Sequence, residues 1–245
     1  YKKEDPYTQF EIPKKNGESR TIRAPVSALK LIQKKLKQVL QAVYDPKPSV
    51  QCTKGRSIIT NAEKHVGKSY LLHLDLARFF PSINFGRVRG MFMAVPYERP
   101  ADAATVLAQI ACHDNELPQG APTSTTVANM LCAKLDSEMQ RLAKRARSTY
   151  TRYVDDITFS TTLTRFPESL AQLDYSGALP ELKELSEELV SIVEENGFEI
   201  NEEKVRLQIE SQRQEVTGLI VNEFPNVPRS FVRQIRAMLH AWRKF

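Results

Sequence analysis

Three carboxylates at two places in the chain could do chemistry together. Asp75 closes the apolar run 69–75 (SYLLHLD), and Asp155-Asp156 lies within 149–161 (TYTRYVDDITFST), flanked by Tyr153, Val154, Ile157 and Phe159. Neighbouring carboxylates repel, and apolar surroundings make that repulsion costly, so a cation between them would offset it. Magnesium suits such a site, because it prefers oxygen ligands, keeps several waters and needs only a few carboxylates from rigid elements. Two such ions about 3.5–4 Å apart can activate an attacking hydroxyl and neutralise the oxygen that leaves in a phosphoryl displacement. The competing reading is a plain turn, for which Asp-Asp is a good pair. What surrounds the pair must decide.

The elements that would position these residues follow from periodicity. Residues 69–75 read as a buried strand ending in Asp75, and 149–161 as a β-hairpin with Asp155-Asp156 at its tip. Ahead of them, 10–25 reads as two short strands around the tight-turn sequence Lys15-Asn16-Gly17. From Val26 to Tyr44, the residues Leu29, Ile32, Leu36, Val39 and Val43 recur at helical spacing. Between them, Lys30, Lys34, Lys35 and Lys37 form either a solvated face or a phosphate-facing one. About 20 residues from Ser124 carry the helical period through Val127, Leu131, Leu135 and Met139, and 181–196 reads as an amphipathic helix closed by Gly197. Strand candidates near 198–208 and 214–221 precede a final helix from about Ser230. With neither an internal repeat nor a dinucleotide-binding glycine pattern, the expected class is α+β, a sheet with helices on one face.

Composition narrows the partners. The 245 residues are 41% hydrophobic and 26% charged, the balance of a globular protein. A net charge of +6 and a pI near 9.2 favour an anionic partner, nucleic acid before membrane surface. Because no apolar run approaches the ~18–20 residues of a membrane span and no signal pattern opens the chain, no membrane association is expected. Cys52, Cys112 and Cys132 match neither a disulfide framework nor a zinc site, which fits a cytoplasmic location. A chain that opens at Tyr1 is expected to be part of a longer protein.

Motifs in a fixed order separate the metal site from the turn. Tyr153-Val154-Asp155-Asp156 resembles the Tyr-x-Asp-Asp box of reverse transcriptases, and 74–83 (LDLARFFPSI) resembles their first catalytic motif. The stretch 117–124 (LPQGAPTS) is similar to the family's motif for the incoming nucleotide and template. Ile12-Pro13-Lys14-Lys15 through Arg20 resembles the family's fingers, while Gly197 to Lys204 and Val216-Thr217-Gly218-Leu219 resemble its later palm motifs. The resemblance covers nearly the whole chain. Within the family, Asn61-Ala62-Glu63-Lys64-His65 and Val216-Thr217-Gly218 resemble the Asn-Ala-x-x-His and Val-Thr-Gly elements of bacterial retron enzymes. Where many relatives carry a His-Gly-Phe-like stretch, this chain has Gln51-Cys52-Thr53-Lys54-Gly55-Arg56, to which the resemblance gives no role.

The resemblance implies roles residue by residue. Asp75, Asp155 and Asp156 would be catalytic and hold two Mg²⁺ ions. The amides of Leu76 and Ala77 would meet the triphosphate, and Arg20, helped by Lys14 or Lys15, would clamp it. Phe80 would gate against a ribose 2′-hydroxyl or else pack beside Phe79, since adjacent strand residues face opposite ways and only one need be buried. Gln119 would contact the nucleotide, and Lys204 would donate a proton to the leaving pyrophosphate or be a plain exposed lysine. Tyr153, Pro122, Thr217 and Gly218 would meet primer and template, with packing as the alternative; Gly120 and Ala121 leave room for the growing helix or for helix entry. Asn61 and His65 make the retron-like element, His65 being functional or a core histidine, and His73 is structural. Arg229, Arg233, Arg236 and Arg243 recur at roughly helical spacing, as phosphate-tracking residues of a thumb would.

The implied architecture is a right-hand polymerase of α+β class with a ferredoxin-like antiparallel palm sheet. Fingers would occupy about 1–68 and 86–118, palm about 69–85 and 119–222, and the start of a helical thumb about 227–245. The implied activity is RNA-directed DNA synthesis of retron type, in which a cognate structured non-coding RNA serves as template and primer. Deoxynucleoside triphosphates would be joined into branched single-stranded DNA (msDNA), in antiphage defence beside a separate effector protein. The alternatives are an intron-encoded or other bacterial reverse transcriptase and, in a different class, a non-catalytic RNA-binding scaffold, which has no use for three converging carboxylates.

Overall fold

The fold is that of a computed structural model describing residues 5–13, 17 and 19–244. The expected turn at Lys15-Asn16 and the helper cations Lys14 and Lys15 lie outside the described residues. In chain order, β1 (Tyr7–Pro13) pairs antiparallel with β2 (Ser19–Pro25), and α1 (Ser27–Val43) follows. The short α2 (Ile58–Glu63) opens with a capping box between Ser57 and Thr60. Next come β3 (Tyr70–Asp75), α3 (Phe79–Ser82), α4 (Phe85–Met93), α5 (Ala101–Ala111), α6 (Ser124–Leu131) and α7 (Ala133–Arg145). The hairpin β4 (Thr149–Tyr153) and β5 (Asp156–Thr161) leads to a second, β6 (Ala171–Asp174) and β7 (Glu181–Leu185). Helix α8 (Glu187–Glu195), strands β8 (Arg206–Ile209), β9 (Glu215–Val216) and β10 (Leu219–Ile220), and α9 (Arg229–Lys244) complete the chain.

Two compact units result, one of Tyr1–Lys47, Ala77–Leu135 and Asn196–Glu199, the other of Pro48–Leu76, Asp136–Glu195 and Ile200–Phe245. In the first, α1 buries Gln33 and Leu40 and leaves Ile32, Val39 and Val43 exposed. The apolar period therefore only partly marks the packed face. Gln33 explains the rotation: its amide donates to the Tyr7 hydroxyl (2.7 Å) and to the Ile110 carbonyl (2.8 Å), so a polar side chain is satisfied inside. In the same unit the Arg23 amide of β2 donates to the Gln119 carbonyl (2.8 Å). That approach leaves no room at Gly120, where a Cβ would lie 2.8 Å from the Arg23 carbonyl oxygen and φ is +121°. Only glycine fits there.

The second unit is built on a four-stranded antiparallel sheet ordered β4-β5-β3-β8. Its inner strand β3 buries every residue from Tyr70 to Leu74, so both faces of the strand are covered. His73 on β3 is buried between Thr158 of β5 (3.2 Å) and Gln208 of β8 (3.1 Å), a structural place.

Three expectations need correction. The helix foreseen over 181–196 begins only at Glu187, because Glu181–Leu185 pairs with β6. Ser186 then starts the helix, its hydroxyl accepting from the Leu189 amide (3.2 Å). The helical stretch after Ser124 breaks at Cys132, and the strand foreseen from 198 begins at Arg206, after a single 3₁₀ turn at Glu202–Lys204.

The two retron-like elements meet in this unit. Ala62 of α2 packs in one apolar cluster with Leu71, Val216, Leu219 and Val221. The Asn61 side-chain amide lies 3.5 Å from the Thr217 hydroxyl, which donates to the Ile58 carbonyl (3.2 Å). His65, fully buried, bridges Ser160 of β5 and Thr151 of β4, both at 2.7 Å, so it ties α2 to both strands of the hairpin.

Burial holds the His65 imidazole down at about 3 and that of His73 at about 4. Both are neutral in the fold, whereas an unfolded histidine titrates near 6.5. Stability is therefore fully present above pH ~6.5 and is lost as pH falls toward ~3, because the unfolded chain takes up protons that the native chain refuses. Replacing His65→Leu should cost about 1–3 kcal/mol at neutral pH, by stranding two hydroxyls. It should also flatten the fall in stability between pH 7.5 and 5. Urea unfolding at the two pH values checks both, and an unchanged slope would show that His65 is not held neutral.

Candidate active site

The sheet register sets two of the three aspartates face to face. Asp75, last in β3, is the direct cross-strand partner of Asp156, first in β5. Tyr153 pairs with Asp156, so the two-residue turn is Val154-Asp155, and the tip lies one residue earlier than the sequence suggested. Val154 has φ +62°, with positive φ at the first turn position only, the pattern of a II′ hairpin turn. For a β-branched residue this is a strained conformation, of order 1–3 kcal/mol, that persists only when its surroundings enforce it. Beyond Asp75 the strand continues as a bridge from Leu76 to Ile200, and the Leu76 amide donates to the Asp155 carbonyl (3.0 Å). The Asn201 amide donates to the Asp75 carbonyl (2.8 Å), which holds Asp75 between the hairpin and the 200–204 segment.

Electrostatics mark the same spot. The 3₁₀ turn brings the Lys204 Nζ to 2.8 Å from Asp75 Oδ1, an ion pair whose lysine side chain is 57% exposed. Asp156 is pushed up to about 6, chiefly by burial, with Arg206 opposing and the Asp155 and Asp75 charges adding to the rise. Among the described residues no three His, Cys, Asp or Glu side chains are gathered closely enough to hold a metal ion. The Asp75 carboxylate is turned to the ammonium group instead. The donors nevertheless fit a hard divalent cation in kind, being aspartates whose crowding raises the energy of the ionised state.

Other residues singled out by sequence fall as follows. The amides of Leu76 and Ala77 already have partners, Leu76 on Asp155 and Ala77 on the Glu199 carbonyl (2.8 Å). Tyr153 is half-buried, and its hydroxyl is pushed up by burial and by Cys52, which places the Gln51–Arg56 loop beside the hairpin. Thr217 and Gly218 form the β9–β10 turn with φ +46° and +83°. Arg20, Phe80, Gln119 and Pro122 belong to the other unit. There Arg20 is exposed on β2, and Gln119 and Pro122 are half-buried around Gly120. Phe79 and Phe80 lie in helix α3 rather than a strand, because Arg78 takes a left-handed conformation and turns the chain. Phe79 is still the buried one, stacked on Phe198 at 5.4 Å, and Phe80 is half-buried, edge-on to Phe79 at 5.3 Å.

Sequence reasoning missed Asp136 and Arg152, a buried pair in the second unit. A positive charge at position 152, inside a stretch read as a β-hairpin, was the one available signal.

Comparison with known proteins shows the family of the chain. Residues 12–221 match the family described as reverse transcriptase (RNA-dependent DNA polymerase). Over 97% of its length the chain is 36% identical to the retron Mx162 reverse transcriptase of Myxococcus xanthus, covering 53% of that protein. Over 96% it is 33% identical to the retron Ec86 reverse transcriptase of Escherichia coli, covering 69% of it. The chain thus spans about half to two thirds of the length of these relatives. Among solved structures, apo telomerase from Candida tropicalis superposes with a TM-score of 0.58 at 11% identity, over 90% of this chain and 47% of that one. Telomerase from Candida albicans in complex with a fragment of telomeric RNA gives 0.55 at 11% identity, over 89% of this chain and 45% of that one. At such identities the likeness shows the fold alone, and it is the right-hand polymerase fold expected. No described helix is long and apolar enough to cross a membrane. By family match and by identity over nearly its whole length, the chain belongs to the reverse transcriptases and, within them, to those of bacterial retrons.

Proposed function

We propose that this chain is the polymerase part of a retron enzyme that copies its own structured non-coding RNA into DNA, with Asp75, Asp155 and Asp156 as the catalytic metal ligands. The observation that carries the reading is the cross-strand pairing of Asp75 with Asp156 beside the Val154-Asp155 turn. Two Mg²⁺ ions, when bound, would supply the positive charge that activates a primer hydroxyl and takes up the charge of the leaving pyrophosphate. The chain's own part is to hold three carboxylates on a rigid sheet end. Lys204 keeps Asp75 neutralised until then; a solvent-open ion pair is worth only about 0–1 kcal/mol, so it opens at little cost and leaves the ammonium group near the departing phosphates.

The remaining assignments follow the family. Fingers would take about 1–68 and 86–118, palm about 69–85 and 119–222, and thumb from about 227. Arg20 would clamp the triphosphate, Gln119 would contact the nucleotide, Phe80 would exclude a 2′-hydroxyl, and Tyr153, Pro122, Thr217 and Gly218 would meet the primer–template. Exposed Arg229, Arg233, Arg236 and Arg243 give α9 a basic face for phosphates. The product would be branched msDNA, primed from a 2′-hydroxyl of an internal guanosine, and the setting antiphage defence with a separate effector protein in the cytoplasm.

One observation favours a second reading. The Lys204–Asp75 pair neutralises the site without a metal, as a non-catalytic RNA-binding scaffold could tolerate.

Primer extension on an RNA template with Mg²⁺ separates the two. Asp155→Asn and Asp156→Asn should each lower synthesis by about a thousandfold, roughly 4 kcal/mol of barrier, while RNA binding stays within about threefold; synthesis that survives in either variant refutes the metal assignment. Phe80→Ala should raise the use of ribonucleotides relative to deoxynucleotides by about tenfold or more, and unchanged discrimination counts against the gate. Sequencing the nucleic acid that copurifies with the protein should reveal a 2′–5′ branch at a single guanosine, whereas unbranched product would favour another class of bacterial reverse transcriptase.

A further inference from the structure

We propose that Arg152 is the positioning residue of the catalytic hairpin, its guanidinium clamped by Asp136 on one side and gripping the Val154 carbonyl of the strained turn on the other. Arg152 is the largest fully buried side chain among the described residues, and Asp136 is equally inaccessible. Its Nε and Nη2 donate to Asp136 Oδ1 and Oδ2, both at 2.8 Å, the bidentate fork that only arginine makes. The remaining nitrogen, Nη1, donates to the Val154 carbonyl at 2.9 Å. Tyr150 donates its hydroxyl to the same Asp136 Oδ1 (2.8 Å), so the carboxylate is itself held in place.

Stability alone does not account for the pair. Apolar residues of similar volume commonly stabilise a core as well as, or better than, a buried ion pair. What apolar residues cannot supply is the third hydrogen bond. Val154 stands at φ +62°, and both carbonyls of its turn are gripped, Val154 by Arg152 and Asp155 by the Leu76 amide. The backbone at Arg152 is locked as well, its amide donating to the Ser49 carbonyl (2.9 Å) and its carbonyl accepting from the Gln51 amide (2.8 Å). A fixed backbone, a fixed fork and a fixed carboxylate therefore meet at one peptide, the one that leads into Asp155-Asp156. The same contacts give the Gln51–Arg56 loop a task that the sequence did not disclose: its first residue braces this strand from outside.

The geometric claim stands on the structure, and its consequence for catalysis rests on the polymerase reading. Two variants test it, Arg152→Lys, which keeps the charge opposite Asp136 but cannot make fork and third bond together, and the triple R152M/D136L/Y150F, which leaves no orphaned charge. Hydrogen exchange of the peptide spanning Val154–Ile157 should quicken by about tenfold or more in each, with melting temperatures near that of the parent. The turnover rate kcat in primer extension should fall about thirtyfold or more while KM for template-primer stays within about threefold, the split expected when an interaction made in the transition state is lost. A folded variant whose turn exchanges like the parent's and whose kcat lies within about threefold overturns the proposal. If the triple variant does not fold, Arg152→Lys decides; if neither folds, Arg152 is a core staple and the positioning role is rejected. A parent chain without polymerase activity would sink the functional reading instead, while exchange at the turn would still judge Arg152.

Discussion

The structure turns on one register, Asp75 of β3 opposite Asp156 of β5. A one-residue slip would send every side chain of a strand to the other face, carrying His73 away from Thr158 and Gln208 and Asp75 away from Asp156. Satisfaction of the buried His73 and placement of the carboxylate are thus a single constraint. Much of the second unit enforces it. β8 pairs along the far edge of β3, the Asn201 amide holds the Asp75 carbonyl, and His65 ties α2 to both strands of the opposing hairpin.

Gathering negative charge at a sheet end is unfavourable, and the molecule shows how that cost is met. Lys204 neutralises Asp75, Arg206 counters the rise at Asp156, and the strained turn is held by hydrogen bonds to both of its carbonyls. The two elements that resemble those of retron enzymes contribute as scaffold as well as signature. Asn61 and Ala62 meet Thr217 and Val216, so a likeness seen at two distant places in the sequence is one packed module in space.

What could be read from sequence was what local chemistry dictates. β3 announces itself as an apolar run, interrupted only by His73, that ends in an acid, and the hairpin as β-formers around an acidic turn, so the candidate site was legible from local pattern. Long-range partners were not. Nothing local says that Gln33 finds the Tyr7 hydroxyl and turns the face of α1, or that Glu181–Leu185 finds a partner strand and leaves the helix. Asp136 and Arg152 lie on a helix and a strand whose contact only the fold creates. The gate candidate Phe80 was separated from Phe79 by a strand argument, yet helix α3 achieves the same separation by other geometry.

The central claim is that the three aspartates share divalent metal. The most direct measurement is an experimental structure of the full-length protein with template-primer, Mn²⁺ and a non-reactive deoxynucleotide, using the manganese anomalous signal. The account predicts manganese peaks on the carboxylates of Asp75, Asp155 and Asp156, with the Lys204 ammonium group released from Asp75. Manganese absent from these carboxylates, with the Lys204–Asp75 pair intact beside a bound nucleotide, would contradict it.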